Sequence, residues 1–283
     1  MEEEIVRLGS DQRLVGMLTA PPGNARVDTP AVIILNAGIV HRVGPNRLHV
    51  RLARRLAEQG NTVLRFDLSG IGDSAADAEA ESLEASVFTD VRAAIDLLGK
   101  RGFDRFILFG LCSGAHLTVF YAPTDDRVVG AVLIDPEIPP TVKSLAVKIR
   151  SRLLHPNVWW GLLTGRLSLL PHLRAAAGSV PKDDSGVDPL KAGGTALQAM
   201  VDRGVQLFVI FTGGHRWYNY RELFLDVFSS IDFGDQLRLE YRPEADHVFS
   251  FEQSQQRLVE SISEWALSAD FRAEVKTPEV VEA

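Results

Sequence analysis

The sequence predicts an α/β protein in which an eight-stranded, mostly parallel sheet is flanked by helices. Short runs that are apolar on both faces, as buried parallel strands are, alternate with stretches of helical periodicity. A strand followed by a helix, repeated along a chain, is typical of the right-handed crossovers of a doubly wound sheet. With 283 residues, 46% of them hydrophobic, the chain is long enough to bury both faces of such a sheet.

The strands are predicted from apolar runs of strand length. Two alternating runs joined by GSDQ indicate an antiparallel hairpin at the edge of the sheet, and six further runs complete it. In chain order the eight runs are EIVRL and RLVGMLTA in the hairpin, then AVIIL (31–35), TVLRF (62–66), RFILF (105–109), GAVLID (130–135), QLFVIF (206–211) and LRLEY (237–241).

The helices are predicted from apolar residues at helical spacing. One stretch runs from Leu48 up to Gly60 and another from Val87 up to Gly99, and a glycine is a common stop signal at the carboxyl end of a helix. A further helix is expected near 219–229. The last predicted helix carries Phe251, Leu258, Ile262 and Trp265.

The alternation of strands and helices breaks once, between residues 136 and 203. This stretch is helix-prone, rich in Leu, Trp and Arg, and has no evident strand. It follows the sixth strand, and ligands bind at the carboxyl ends of strands in open α/β sheets, so we predict a helical cap inserted there rather than extra scaffold. The predicted core domain is then 1–135 with 204–270, and the polar segment 271–283 is predicted to be a flexible tail.

Composition narrows the range of partners. The formal net charge is −7 with no long basic block, which argues against a nucleic-acid partner and favours small molecules or proteins. The acidic start MEEEIVRLGS is unlike a signal peptide, and no apolar run is long enough to span a membrane, so we expect a cytoplasmic protein. A single cysteine cannot form an internal disulfide or build a metal site by itself.

That cysteine lies in FGLCSGA, residues 109–115, between a predicted strand and an apolar, helix-like stretch. Gly110 and Gly114 stand two residues before and two residues after Cys112. A sharp turn from a strand into a helix requires small residues at these two positions, because larger side chains would collide across the turn. The thiol of Cys112 is therefore a candidate nucleophile, although a lone cysteine can also be a small buried hydrophobic residue.

Together with this turn, three motifs resemble the α/β-hydrolase superfamily over nearly the whole chain and imply the α/β-hydrolase fold. ILNAGIVHR is similar to the family's oxyanion loop, VLRFDLSGIGDS to its fourth-strand signature, and EADHVFS to its histidine loop. Two segments show a narrower resemblance: LNAGIVHRVGPNRLHVRLARRLAEQG and, in the predicted cap, WWGLLTGRL. They resemble hydrolases associated with bacterial exosortase systems and with biosynthetic clusters, for which thioesterase-like or acyl-transfer roles are expected.

The resemblance implies that Cys112 replaces the usual serine nucleophile and that His247 is the catalytic base. The family's acid usually follows the seventh strand, where this chain has His215 and no Asp. Asp135, at the end of the sixth strand, is an alternative location for the acid in this fold, and Glu222 is the second choice. It also stays open that Asp135 only binds backbone amides before the cap and that the protein has no acid.

The same resemblance implies that the backbone N–H groups of Gly38 and Ser113 form the oxyanion hole. Trp159 and Trp160 in the predicted cap are candidates for an acyl pocket, unless they pack inside the cap. His41 and Arg42 either meet a negatively charged group of the substrate or belong to a solvated loop; the second interpretation is favoured.

A cysteine nucleophile suggests acyl transfer. A thiol depends less than a serine hydroxyl on a well-oriented base, so a cysteine is consistent with the absence of Asp at the usual acid position. We expect a thioesterase or acyltransferase that forms an acyl-Cys112 intermediate, uses no cofactor or metal, and takes a small acyl donor carried on coenzyme A or an acyl carrier protein. The alternatives are an ester or lactone hydrolase of the dienelactone-hydrolase type and a non-catalytic binding module.

Overall fold

A computed structural model describes residues 1–23, 28–138, 188–214, 218–268 and 271 of the chain. These residues form one eight-stranded sheet in the spatial order β1-β2-β4-β3-β5-β6-β7-β8. The strands are β1 (Glu2–Leu8), β2 (Leu14–Ala20), β3 (Ala31–Ile34), β4 (Val63–Phe66), β5 (Phe106–Leu111), β6 (Val128–Ile134), β7 (Gln206–Thr212) and β8 (Leu237–Arg242).

The strand directions agree with the sequence prediction. β1 and β2 form the antiparallel hairpin at the edge of the sheet, and β2 is also antiparallel to β4. Every other neighbouring pair, from β4 through β8, is parallel. The α/β-hydrolase fold, with an eight-stranded and mostly parallel sheet, is therefore confirmed.

Helices cover the sheet on both faces. Among the described residues they are α1 (Leu48–Glu58), α2 (Leu83–Gly99), α3 (Ser113–Tyr121), α4 (Pro189–Asp202), α5 (Leu223–Val227) and α6 (Glu252–Ser268). α5 is shorter than the predicted helix near 219–229. The predicted last helix starts at Glu252, so Phe251 precedes it and is 66% exposed instead of facing the core.

The buried strands explain why two hydrophobic cores form. Every residue of β5 is buried, and successive side chains of a strand point to opposite faces. Phe106 and Leu108 thus pack into the core under α2, α3 and α4, whereas Ile107 and Phe109 pack under α1 and α6. Continuous apolar runs, rather than alternating ones, are what a two-sided core requires.

The helix α4 packs on the core, although it falls within the predicted cap range of 136–203. Its Leu197 and Met200 are buried in the same cluster as the residues of α3. Residues 139–187, which include Trp159 and Trp160, lie outside the described residues, so the cap and its division from the core stay predictions. Of the predicted tail 271–283, only Phe271 is described, and it is buried.

In the described part of the chain, no helix has both the length and the apolar character needed to cross a membrane.

Candidate active site

Neighbouring strands bring the candidate residues to one edge of the sheet. β3, β5, β6 and β7 lie side by side and run parallel, so their carboxyl ends share that edge. The loop after β3 carries Gly38, the turn after β5 carries Cys112, and Asp135 directly follows β6. His247 comes from the loop between β8 and α6. Residues far apart in sequence therefore meet where ligands bind in this class of sheet.

Cys112 stands at the tip of the turn from β5 into α3, and it is exposed. Its backbone has φ 57° and ψ −118°, a conformation that non-glycine residues rarely adopt. A Cβ atom on Gly110 would lie 2.1 Å from the carbonyl oxygen of Gly114, and one on Gly114 would lie 2.5 Å from that of Asn36. The two glycines thus let the turn close as the sequence predicted.

The imidazole of His247 links the turn to a carboxylate. Its Nδ1 lies 2.7 Å from Oδ2 of Asp135. The thiol of Cys112 lies close enough to the same ring to contribute to the pKa of His247. The loop that carries His247 packs tightly on the end of β7, because a Cβ atom on Gly214 would lie 2.5 Å from the His247 nitrogen. The structure therefore brings the three predicted residues together in the order thiol, imidazole, carboxylate.

Asp135 is almost fully buried, with 2% exposure, and is held by more than its contact with His247. Its Oδ1 accepts the backbone N–H of Thr212 at 2.8 Å, and its Oδ2 accepts the Thr212 hydroxyl at 2.6 Å. Its own N–H donates to the carbonyl of Ile210, and its φ is 46°. Buried carboxylates require such donors, and these contacts orient Oδ2 toward the imidazole.

The hydrogen bond with Asp135 raises the pKa of His247 to about 9. Partial burial of the ring opposes this shift, and the interaction with Cys112 adds to it. At neutral pH the imidazole therefore carries a positive charge next to the sulfur.

The two residues predicted to form the oxyanion hole, Gly38 and Ser113, contact each other. Gly38 is exposed in the loop after β3, with φ +58°, and Ser113 is the first residue of α3. The N–H of Gly38 donates to the hydroxyl oxygen of Ser113 at 2.8 Å. The loop and the turn are therefore adjacent, and the hydrogen bond that joins them uses the Ser113 side chain.

Other candidate residues have different surroundings. Glu222 is exposed just before α5, whereas the carboxylate that contacts His247 is that of Asp135. Arg42 pairs with the fully buried Asp67 and with Asp73, so its guanidinium group takes part in internal contacts. His41 is exposed. His215, Trp159 and Trp160 lie outside the described residues.

Sequence reasoning missed two supporting residues, Thr212 and Asn36. The Asn36 side chain donates to the carbonyl of Val40 at 2.9 Å and accepts the N–H of Leu68 at 2.9 Å, which ties the loop after β3 to the end of β4. Thr212 holds Asp135. Both are polar residues at the carboxyl end of an apolar strand, and that position was the available signal.

The part of the chain that the structure describes contains no group of three or more His, Cys, Asp or Glu side chains placed to hold a metal ion.

Comparisons with known proteins agree with this architecture. Among solved structures, a putative hydrolase from Agrobacterium vitis S4 has 19% sequence identity and a TM-score of 0.55, and the match covers 93% of this chain and 98% of that one. Est1E from Butyrivibrio proteoclasticus has 14% identity and a TM-score of 0.59, with 93% of this chain and 97% of that one covered. An esterase from Pyrococcus furiosus has 15% identity and a TM-score of 0.59, with 93% of this chain and 90% of that one covered. No curated protein matches the sequence. A family model described as the alpha/beta hydrolase family matches residues 38–261. That range includes the turn at Cys112, Asp135 and His247, and the chain belongs to the alpha/beta hydrolase family.

Proposed function

We propose that the protein is a cysteine-dependent acyl-transfer enzyme, a thioesterase or acyltransferase that forms a covalent acyl-Cys112 intermediate. The observation that carries this proposal is the placement of the His247 imidazole, which is close to Cys112 and has its Nδ1 2.7 Å from Oδ2 of Asp135. A nucleophile next to a base that is itself oriented by a third group is the arrangement that covalent catalysis requires. Cys112, His247 and Asp135 are accordingly the proposed catalytic residues.

The proposed reaction has two halves. The Cys112 thiolate attacks the acyl carbonyl carbon, and the carbonyl oxygen becomes an oxyanion. When the intermediate collapses, the bond to the leaving group breaks, and the protonated His247 gives its Nε2 proton to that group. The neutral imidazole then takes a proton from water or from another acceptor, which attacks the acyl-Cys112 thioester and restores the thiolate–imidazolium pair.

Asp135 is the proposed acid because it contacts His247 Nδ1 and is itself held by Thr212. A carboxylate at this nitrogen keeps the other nitrogen of the ring directed at the nucleophile and stabilises the imidazolium form. The raised pKa of His247 follows from the same contact. In this proposal Asp135, after the sixth strand, takes the role of the Asp that usually follows the seventh strand.

Thioesters are the proposed substrates. Exchange of an acyl group between a pantetheine-type thiol and Cys112 is nearly isoenergetic, so the acyl group stays activated for a later acceptor. We propose coenzyme A or an acyl carrier protein as the carrier, and Trp159 and Trp160 of the cap as acyl-pocket residues. We also propose a cytoplasmic location, which is compatible with such donors.

A second candidate function is hydrolysis of esters or lactones. It is favoured by the fold similarity to Est1E and to the Pyrococcus furiosus esterase, which shows a shared scaffold. The nucleophile, base and acid would be the same residues, and only the leaving group would differ. A non-catalytic binding module is the remaining alternative.

Intact-mass spectrometry after incubation with acyl-coenzyme A esters of increasing chain length tests the proposal. We expect an acyl adduct on Cys112 in the wild type and none in Cys112→Ala. Faster turnover of p-nitrophenyl esters than of thioesters would favour the ester hydrolase instead. Absence of any adduct or turnover with both substrate classes would contradict an acyl-transfer function.

Iodoacetamide labelling tests the activated thiol independently of the substrate. His247→Ala should slow the labelling of Cys112 at pH 7 by roughly 10-fold, because the imidazolium that stabilises the thiolate is lost. The matched control is His116→Ala, which removes an exposed imidazole on α3 that packs against Phe120. Wild-type labelling at the rate of a small-peptide thiol would support the binding module.

A further inference from the structure

The Gly38 N–H, which the sequence predicted as an oxyanion donor, already donates a hydrogen bond within the protein. A backbone N–H group has one proton, and that of Gly38 is directed at the Ser113 hydroxyl oxygen, 2.8 Å away. An amide proton that is already donated stabilises a second acceptor poorly. A substrate oxygen that needs the Gly38 amide must therefore either displace the Ser113 hydroxyl or interact through it.

The Ser113 hydroxyl still has a proton to give. A serine oxygen that accepts one hydrogen bond keeps its own O–H as a donor, and this O–H can rotate about the Cβ–Oγ bond. Ser113 is exposed, as are its neighbour Cys112 and its partner Gly38, and the hydrogen bond between Gly38 and Ser113 places the three residues close together. Hydrogen bonds in series polarise one another, which makes the hydroxyl a stronger donor than an isolated one.

The donor side of this contact, the Gly38 loop, is held in place. The Asn36 side chain ties the Gly38 loop to Val40 and Leu68. The loop also touches the turn, because a Cβ atom on Gly114 would lie 2.5 Å from the Asn36 carbonyl oxygen. The amide of Gly38 is thus directed at Ser113 before any substrate arrives, and preorganised donors are the ones that stabilise developing charge.

We propose that the side-chain hydroxyl of Ser113 is a direct oxyanion donor, and that Gly38 is a positioning residue that polarises it. The inference rests on the proposed acyl-transfer function and assigns a side-chain role at a site where only backbone groups were expected. As the Cys112 sulfur bonds to the acyl carbon, the carbonyl oxygen gains negative charge and accepts the Ser113 O–H. No proton is transferred in this contact, and it is released when the carbonyl re-forms.

Single-turnover acylation by an acyl-coenzyme A ester tests this role. Loss of one oxyanion donor slows catalysis by about 10² to 10³-fold, so we expect Ser113→Ala to reduce the acylation rate constant by roughly 100-fold with little change in KM. Ser113→Thr keeps the hydroxyl and should restore most of the rate. An acylation rate in Ser113→Ala equal to or above that of the wild type would overturn the proposal, because it would show that the hydroxyl is inert or must be displaced.

Labelling with iodoacetamide distinguishes failure of the Ser113 role from failure of the proposed acyl-transfer function. Alkylation attacks a CH₂ carbon and forms no oxyanion, so Ser113→Ala should label at Cys112 within about 2-fold of the wild-type rate while its acylation falls. If the labelling rate falls as much as the acylation rate, Ser113 acts on the thiol and the oxyanion role is wrong. If the wild type labels rapidly but is never acylated, the acyl-transfer function fails, and this inference fails with it.

Discussion

At the scale of single residues, the site depends on how one carboxylate is held. Asp135 has both oxygens engaged, by Thr212 and by the imidazole of His247. A buried carboxylate without these donors would be unstable as an anion. The charge on His247 therefore follows from contacts at the ends of β6 and β7 and does not require Asp at the more usual acid position.

The raised pKa of His247 predicts a specific dependence of stability on pH. The pKa is about 9 in the folded protein against 6.5 for an ordinary histidine, so the protonated form stabilises the fold. This contribution is complete below pH 6.5 and disappears as the pH rises through about 9. We expect His247→Gln, made in a Cys112→Ala background to remove thiol titration, to lower the Tm at pH 6 and to lower it less at pH 9.5.

The experiment compares Cys112→Ala with the double variant by thermal unfolding at both pH values. Cys112→Ala leaves Asp135, the largest cause of the pKa shift, in place. A difference in Tm that stays constant from pH 6 to pH 9.5, or that grows, would show that His247 is not protonated in the folded protein near neutral pH.

At the scale of elements, the turn between β5 and α3 depends on close approach of two backbones. Gly114→Ala would place a Cβ atom 2.5 Å from the carbonyl oxygen of Asn36, so the loop after β3 or the start of α3 must move. Overpacking against backbone costs roughly 1 to 3 kcal/mol, and we expect Gly114→Ala to lower the free energy of unfolding by the upper part of that range. Chemical denaturation measures the change.

Gly193 in α4 provides a matched control for the same substitution. A Cβ atom on Gly193 meets nothing within 4 Å, and alanine is the better helix former, so Gly193→Ala should leave stability unchanged or raise it by up to about 1 kcal/mol. Equal effects of Gly193→Ala and Gly114→Ala would mean that the turn is less tight than these distances indicate.

The loop after β3 depends on a second contact, with the residues that follow β4. Asp67 is fully buried and accepts hydrogen bonds from the backbone and side chain of Arg42 and from the N–H of Asp73. Asp67→Asn would leave the Arg42 charge without its buried partner, and we expect a loss of roughly 3 kcal/mol of unfolding free energy. Displacement of the loop should also slow acylation of Cys112.

Asp73→Asn is the control for this substitution. Asp73 also pairs with Arg42, at 2.8 Å, but its side chain is 67% exposed, so the pair should contribute less than about 1 kcal/mol. If Asp73→Asn slows acylation as much as Asp67→Asn does, the net charge near Arg42, and not the buried contact, would be responsible.

At the scale of the whole molecule, features set by local sequence patterns could be predicted, whereas contacts between residues far apart in the chain could not. Apolar runs and glycine positions depend on local sterics, so the eight strands and the turn at Cys112 were predictable. Asp135 was the first choice for the acid, with Glu222 second. Its contact with His247 could not be predicted, because it depends on the register between β6 and β7 that places Thr212 and Asp135 together. The Ser113 contact with Gly38 depends on side-chain rotation, which no pattern encodes.

Phe271, the first residue of the predicted flexible tail, packs on the core. A flexible tail was predicted from residue 271, yet Phe271 is only 6% exposed. Its ring packs edge-on against Trp265 of α6 at 5.2 Å and fills the space beside Gly130 in β6, where an added Cβ atom would lie 2.8 Å from the ring. A glycine near the amino end of β6 thus makes room for an aromatic ring that follows the last helix.

Phe271→Ala should therefore lower the free energy of unfolding by roughly 3 kcal/mol, because it leaves a cavity over β6. The control is Leu267→Ala in α6, where the side chain is 59% exposed and the expected change is within about 0.5 kcal/mol. Denaturant unfolding of the two variants measures the difference. Similar stabilities would mean that the core ends with α6 and that the predicted tail boundary was right. The site lies at the opposite end of the parallel strands from Gly130, so labelling of Cys112 by iodoacetamide should be unchanged in folded Phe271→Ala.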